Sequence, residues 1–102
     1  MTTPTKTAPT LEILREHRDE ILRLAEHYGA SNVRVFGSVA RGDATPESDV
    51  DLLVDFGAHS LLHRIALKRE LSDLMGCPVE VIQEKMLKDY VRPQALRDVV
   101  EL

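Results

Sequence analysis

The chain has 102 residues and carries 17 acidic against 13 Lys and Arg side chains, a formal net charge of −4. That length makes one small domain, able to bury roughly two thirds of its unfolded surface, and the acidic balance argues against a general nucleic-acid binder, which is ordinarily basic. A lone cysteine, Cys77, excludes an internal disulfide framework and fits a reducing compartment, and no apolar run approaches the ~20 residues of a membrane span.

Residues 1–9 are rich in Thr and Pro and lack the apolar stretch of a signal peptide. They read as a disordered tail of a cytoplasmic protein, with the folded domain over residues 10–102. Thr10 to Tyr28 reads as one amphipathic helix, with Leu11, Leu14, Ile21, Ala25 and Tyr28 at helical spacing. Thr10 suits its start and Gly29 its left-handed stop. His17 and His27 lie about three turns apart, too far to share a metal.

Val33 to Phe36 is expected as a short strand, broken by Gly37, with Ser38 to Arg41 as one helical turn. Asp43 to Ser48, containing Pro46, reads as a loop. Asp49 to Phe56 is a second strand whose middle, Val50, Leu52, Leu53 and Val54, is apolar enough for burial on both faces. Ser60 to Met75 reads as a long helix, capped by Ser60, ended by Gly76, with an apolar face of Leu61, Ile65, Leu67, Leu71, Leu74 and Met75. A third strand, Val79 to Ile82, a short helix over Glu84 to Tyr90, and a last helix starting near Pro93 and running to about Val100 complete the chain. The order implies an α/β fold of the α+β type, helices packed on a small mixed sheet.

The chemistry concentrates between Gly37 and Val54. Asp49 and Asp51 point to one face of their strand, Val50 to the other. Such a pair is either two solvated acids at a strand end or a site for a divalent cation, which relieves their repulsion; Mg²⁺ prefers carboxylate and phosphate oxygens. Gly37-Ser38 is either a plain turn and cap or a turn whose backbone and hydroxyl accept a phosphate. Arg41 is either an exposed side chain paired with Asp43 or Glu47, or a charge-assisted phosphate contact. Gly42 reads as turn geometry.

The connections bring these pieces together. About a dozen residues separate the first two strands, so they pair antiparallel; the long helical connection to the third strand makes a parallel crossover. Glu80, alone among Val79, Val81 and Ile82, then reaches the same sheet edge. It is either an edge residue facing solvent or a third metal ligand, and its convergence on the aspartates favours the ligand. Three carboxylates, a phosphate turn and Mg²⁺ form a nucleotidyl-transfer site, in which Asp51 and Glu80 flank the metal on the acceptor side.

Gly37-Ser38, ten further residues, then Asp49-Val50-Asp51-Leu52 resembles the signature of the DNA polymerase β-like nucleotidyltransferase superfamily. With Ala40-Arg41-Gly42 and Ser48 added, the stretch is similar to the minimal nucleotidyltransferase (MNT) proteins. The resemblance spans about Leu11 to Ile82. It implies a mixed-sheet nucleotidyltransferase core, two Mg²⁺ ions and ATP as substrate. It also implies an antitoxin role: AMP transferred to a tyrosine of a partner HEPN ribonuclease, encoded nearby and bound in a hetero-oligomer. The family's third carboxylate is usually aspartate, where this chain holds Glu80. Other readings of the residues are silencing of the partner by occlusion, and transfer to a small molecule.

The remaining candidates are weaker. His59 and His63 stand four apart, metal spacing on a helix, but lack further ligands and read as a solvated helix start. Arg64, Lys68 and Arg69 form a basic cluster that is either solvated or contacts an acidic partner or the nucleotide. Cys77 reads as a packed or loop thiol. Tyr28 and Tyr90 read as core or partner-facing residues.

Overall fold

The computed structural model describes residues 7–57 and 61–102. The Ser60 cap, His59, and residues 1–6 of the expected tail lie outside the described residues. Thr10 does cap the first helix, α1 (Leu11–Glu16), its Oγ1 accepting from the Ile13 N–H at 3.1 Å. The single helix expected up to Tyr28 is instead two, because the chain leaves helical geometry at His17 (φ −100°, ψ 13°) before α2 (Arg18–His27) resumes. Neither proline nor glycine marks that break, so helical periodicity reads straight through it. Leu14 and Ile21, one on each piece, are both fully buried.

Gly29 ends α2 in the left-handed region (φ +81°) and β1 (Ala30–Phe36) follows. It begins earlier than the apolar pattern predicts: Ala30 and Ser31 already pair with Phe56 and Asp55, and a register shift between Ser31 and Arg34 follows, within which Asn32 stands at φ +52°. Asparagine tolerates that conformation better than most residues. Its amide donates to Asp55 at 2.9 Å, and Arg34 clasps the same carboxylate at 3.0 Å.

The next elements are α3 (Gly37–Arg41), β2 (Val50–Phe56), α4 (Leu61–Met75) and β3 (Val79–Gln83). A 3-10 turn over Glu84–Met86 stands where a longer helix was expected, and α5 (Arg92–Asp98) and β4 (Val100–Glu101) follow. The last helix therefore stops two residues short of expectation, and Val100 and Glu101 beyond it pair with β1.

Among the described residues the four strands form one sheet in the order β3-β2-β1-β4. As the connection lengths predict, β1–β2 is antiparallel and β2–β3 parallel. Val35, Val50, Leu52, Val54, Val79 and Val81 project to one face, beneath Leu14, Ile21, Leu67 and Leu71 of the helices. Each such fully buried side chain contributes about 1.5–3 kcal/mol. Phe36 and Leu53 project to the other face, where Leu87 and Ala95 cover them. Leu61 and Ile65, expected on the apolar face of α4, are instead 61% and 49% exposed; burial in that helix is concentrated at Leu67 and Leu71.

Candidate active site

The register builds the site. Phe36 pairs with Asp51 across the β1–β2 ladder, and Asp51 pairs with Glu80 across β2–β3. Phe36, Asp51 and Glu80 thus form one row over three strands, on the face opposite the helical core. The row is fixed at its β3 end by Ser72, whose hydroxyl donates to the Lys68 carbonyl at 2.8 Å and accepts from the Val79 N–H at 3.0 Å. At its β2 end the Val50 N–H donates to the Pro78 carbonyl at 2.9 Å.

Gly37 directly follows Phe36 at φ +75°, a conformation that favours glycine. A Cβ there would lie 2.5 Å from Oδ2 of Asp51, so the missing side chain is what lets backbone and carboxylate approach. Gly42, at φ +83°, ends α3, and Asp43 N–H donates back to the Ser38 carbonyl at 3.0 Å. The loop beyond is held by Ser48, whose Oγ accepts from the Thr45 N–H at 2.8 Å. It delivers Asp49, exposed, just ahead of β2.

Asp51 is the electrostatic centre. Burial, then the charges of Asp49 and Glu80, push its carboxyl up from 3.8 to about 6, while Arg41 pulls in the opposite direction. Arg41 bonds to Asp43 at 3.2 Å and to Asp98 at 2.9 Å, so one of its two expected partners is present and the other bond runs to α5. Glu80 accepts from Lys68 Nζ at 2.9 Å; Lys68 reaches it from α4. Glu80 is thus neither free in solvent nor already enclosed by the aspartates. Among the described residues no three His, Cys, Asp or Glu side chains close into a metal cage. The donor set nevertheless fits Mg²⁺, which keeps several waters and is held by one or two carboxylates with substrate phosphates. Burial is the larger cause of the raised Asp51 carboxyl; the added repulsion from Asp49 and Glu80 is the part that a cation would relieve.

A cleft of about 500 Å³ opens beside this row. Gly37, Ser38, Arg41 and Asp51 line one side of it; Tyr90, Val91, Gln94 and Asp98 line the other. The structure therefore brings Gly37, Ser38, Arg41 and Asp51 into one cavity, with Asp49 and Glu80 flanking Asp51. Sequence reasoning missed Gln94 and Asp98 and gave Tyr90 no site role. Their place depends on Ala95, which is 4% exposed and seats α5 over Phe36 and Leu53, a long-range contact with no local signal in the sequence.

The weaker candidates resolve simply. His63 is exposed, its ring 6.4 Å from that of Tyr28. Arg64 donates to the Val81 carbonyl at 3.2 Å, and Cys77 packs partly buried against the core.

Residues 14–102 match the nucleotidyltransferase domain family. The protein adenylyltransferase MntA of Thermococcus cleftensis is 42% identical over 89 residues, which cover 86% of this chain and 87% of that protein. A solved structure provisionally described as a minimal nucleotidyltransferase superposes with a TM-score of 0.79 at 44% identity, over 92% of this chain and 97% of the other. A tri-AMPylated HEPN toxin of Shewanella oneidensis in complex with its MNT antitoxin gives a TM-score of 0.64 at 14% identity, over 85% of this chain and 69% of the matched one. That last likeness concerns the fold.

Proposed function

The chain belongs to the nucleotidyltransferase domain family, and on that premise we propose that it transfers AMP from ATP to a hydroxyl of a partner protein. The partner is a HEPN ribonuclease toxin, encoded next to this chain and silenced by modification of a tyrosine. The observation that carries the reaction type is the Phe36–Asp51–Glu80 row beside the Gly37 approach. The 42% identity to a protein adenylyltransferase supports a protein acceptor.

Each residue has a task. The Gly37-Ser38 turn receives the triphosphate through backbone N–H groups and the Ser38 hydroxyl. Arg41, held between Asp43 and Asp98, adds positive charge beside it. Asp49, Asp51 and Glu80 would hold Mg²⁺, which when bound lowers the pKa of an acceptor hydroxyl and neutralises triphosphate charge. The acceptor oxygen bonds to the α-phosphorus, the bond from that phosphorus to the bridging oxygen breaks, and pyrophosphate leaves. The acceptor's proton passes to the carboxylate row, of which Glu80 is a partly exposed member. Glutamate in the third position reaches one methylene further than aspartate, and Lys68 keeps it oriented meanwhile.

The test is incubation of the full chain and its neighbouring gene product with α-labelled ATP and Mg²⁺. Label should appear on the partner and vanish with Asp49→Asn/Asp51→Asn. Absence of label with any divalent metal would sink the enzymatic reading. Silencing of the partner that survives the double substitution would replace it with occlusion.

A further inference from the structure

The cleft has a second wall that the transfer chemistry leaves unused. Facing the Gly37-Ser38 turn, the segment before α5 and the first turn of α5 present Tyr90, Val91 and Gln94 to the same cavity. Beneath them Ala95 is 4% exposed and packs with Phe36 and Leu53, so the wall stands on a firm base. Tyr90, by contrast, is 79% exposed. Among the described residues its ring contact is Lys88 Nζ, 6.0 Å from the centroid. Gln94 is exposed as well, and its side-chain amide bonds to none of the described residues.

An aromatic face and an uncommitted amide, side by side at one end of a phosphate-binding cleft, match the chemistry of a purine. The ring supplies a stacking surface, which every base can use. The amide supplies an acceptor and donors in one plane. Adenine offers an N7 acceptor and an N6 donor along one edge, which a glutamine amide meets with two bonds; guanine offers two acceptors there and meets the carboxamide oxygen badly. We propose that Tyr90 and Gln94 are the base-recognition wall of this site, Tyr90 stacking on the base and Gln94 selecting adenine.

The proposal rests on the nucleotidyltransferase reading and deepens it by naming what chooses the nucleotide. Two further observations support it. The cleft's volume of about 500 Å³ lies in the range of small-molecule sites. The Arg41–Asp98 bond of 2.9 Å ties α3 to α5, which holds the phosphate end and the base end of the cleft at a set separation.

Calorimetric titration of the full chain in Mg²⁺ with inorganic tripolyphosphate, ATP and GTP tests it. ATP should bind about tenfold tighter than either of the other two. Tyr90→Ala should weaken both nucleotides about tenfold, leave tripolyphosphate unchanged, and be rescued by Tyr90→Phe, which keeps the ring. Gln94→Leu should bring ATP and GTP within about threefold of each other. Both positions are exposed, so the variants keep the core intact. ATP binding no tighter than tripolyphosphate, GTP equal to ATP in the unaltered chain, or Tyr90→Ala without effect would each overturn the wall and leave the phosphate site standing. Failure of both ATP and tripolyphosphate to bind would instead overturn the reading beneath it.

Discussion

Gly37 answers two demands at once: a backbone at φ +75° and a carboxylate where its Cβ would be. For alanine the left-handed backbone alone costs about 1–2 kcal/mol. The clashing atom is the tip of Asp51, so the carboxylate swings aside before the strand yields. Gly37→Ala should therefore unfold in urea about 1–2 kcal/mol earlier and also lose Mg²⁺-dependent ATP binding. Lower stability with unchanged ATP affinity would show that the close approach is incidental. Asp51 makes a second prediction, about pH. Its unfolded value is 3.8 and its folded value about 6, so the folded state prefers the protonated form. The associated stability is complete below about pH 4 and is lost as pH rises through about 6. Above that range, Asp51 ionises against Asp49 and Glu80 and weakens the fold. Removing its charge with Asp51→Asn should raise stability at pH 7.5 by on the order of 1 kcal/mol, after screening of a half-buried group is allowed for. That corresponds to a Tm gain of about 4–8 °C in a domain of this size, with no gain at pH 4. An equal gain at both pH values would assign the effect to something other than ionisation.

At the scale of elements, α4 shows how packing sets the site. Leu67 and Leu71 are buried to 0% and 1% exposure, while Leu62 is 72% exposed. Leu71→Ala should cost about 2–5 kcal/mol and Leu62→Ala less than about 0.5 kcal/mol, as read from denaturant midpoints; equal costs would mean that the helix is seated differently. Leu71 neighbours Ser72, whose hydroxyl bridges α4 to the start of β3, so the same packing holds Glu80 in register with Asp51. Elements of this kind were legible in the sequence because their signals are local. Gly76 and Gly29 stop helices, connection lengths fix strand directions, and alternation assigns Asp51 and Glu80 to one face. The break at His17 was not legible, since no proline or glycine stands there and the apolar spacing runs through it. Nor was β4, whose two residues are too few for any period. In the site, Gly37, Ser38, Asp49 and Asp51 could be found by spacing within 15 residues of chain. Gln94, Asp98 and the cleft position of Tyr90 could not, because only the return of α5 across the sheet brings them there.

For the whole molecule, the site is a fault line in an otherwise well-packed fold. One face of the sheet is covered by apolar helices, whereas the other gathers Asp49, Asp51 and Glu80 around a half-buried carboxyl in a chain of net charge −4. A ligand that brings cation and triphosphate together should stabilise the folded state far beyond its local contacts, since it removes a repulsion that the unfolded chain does not feel. At a concentration one hundred times its dissociation constant, such a ligand adds about 2.7 kcal/mol, or about 10–20 °C in Tm for a domain of this size. Thermal unfolding in Mg²⁺ with ATP, against EDTA with ATP, measures this directly. The gain should need both components, because ATP alone adds negative charge to an acidic cleft. Asp49→Asn/Asp51→Asn should start from a higher Tm than the unaltered chain and respond less. A Tm that rises with ATP in EDTA as much as in Mg²⁺ would place the binding energy in the base and turn alone, and would remove the carboxylate row from nucleotide binding.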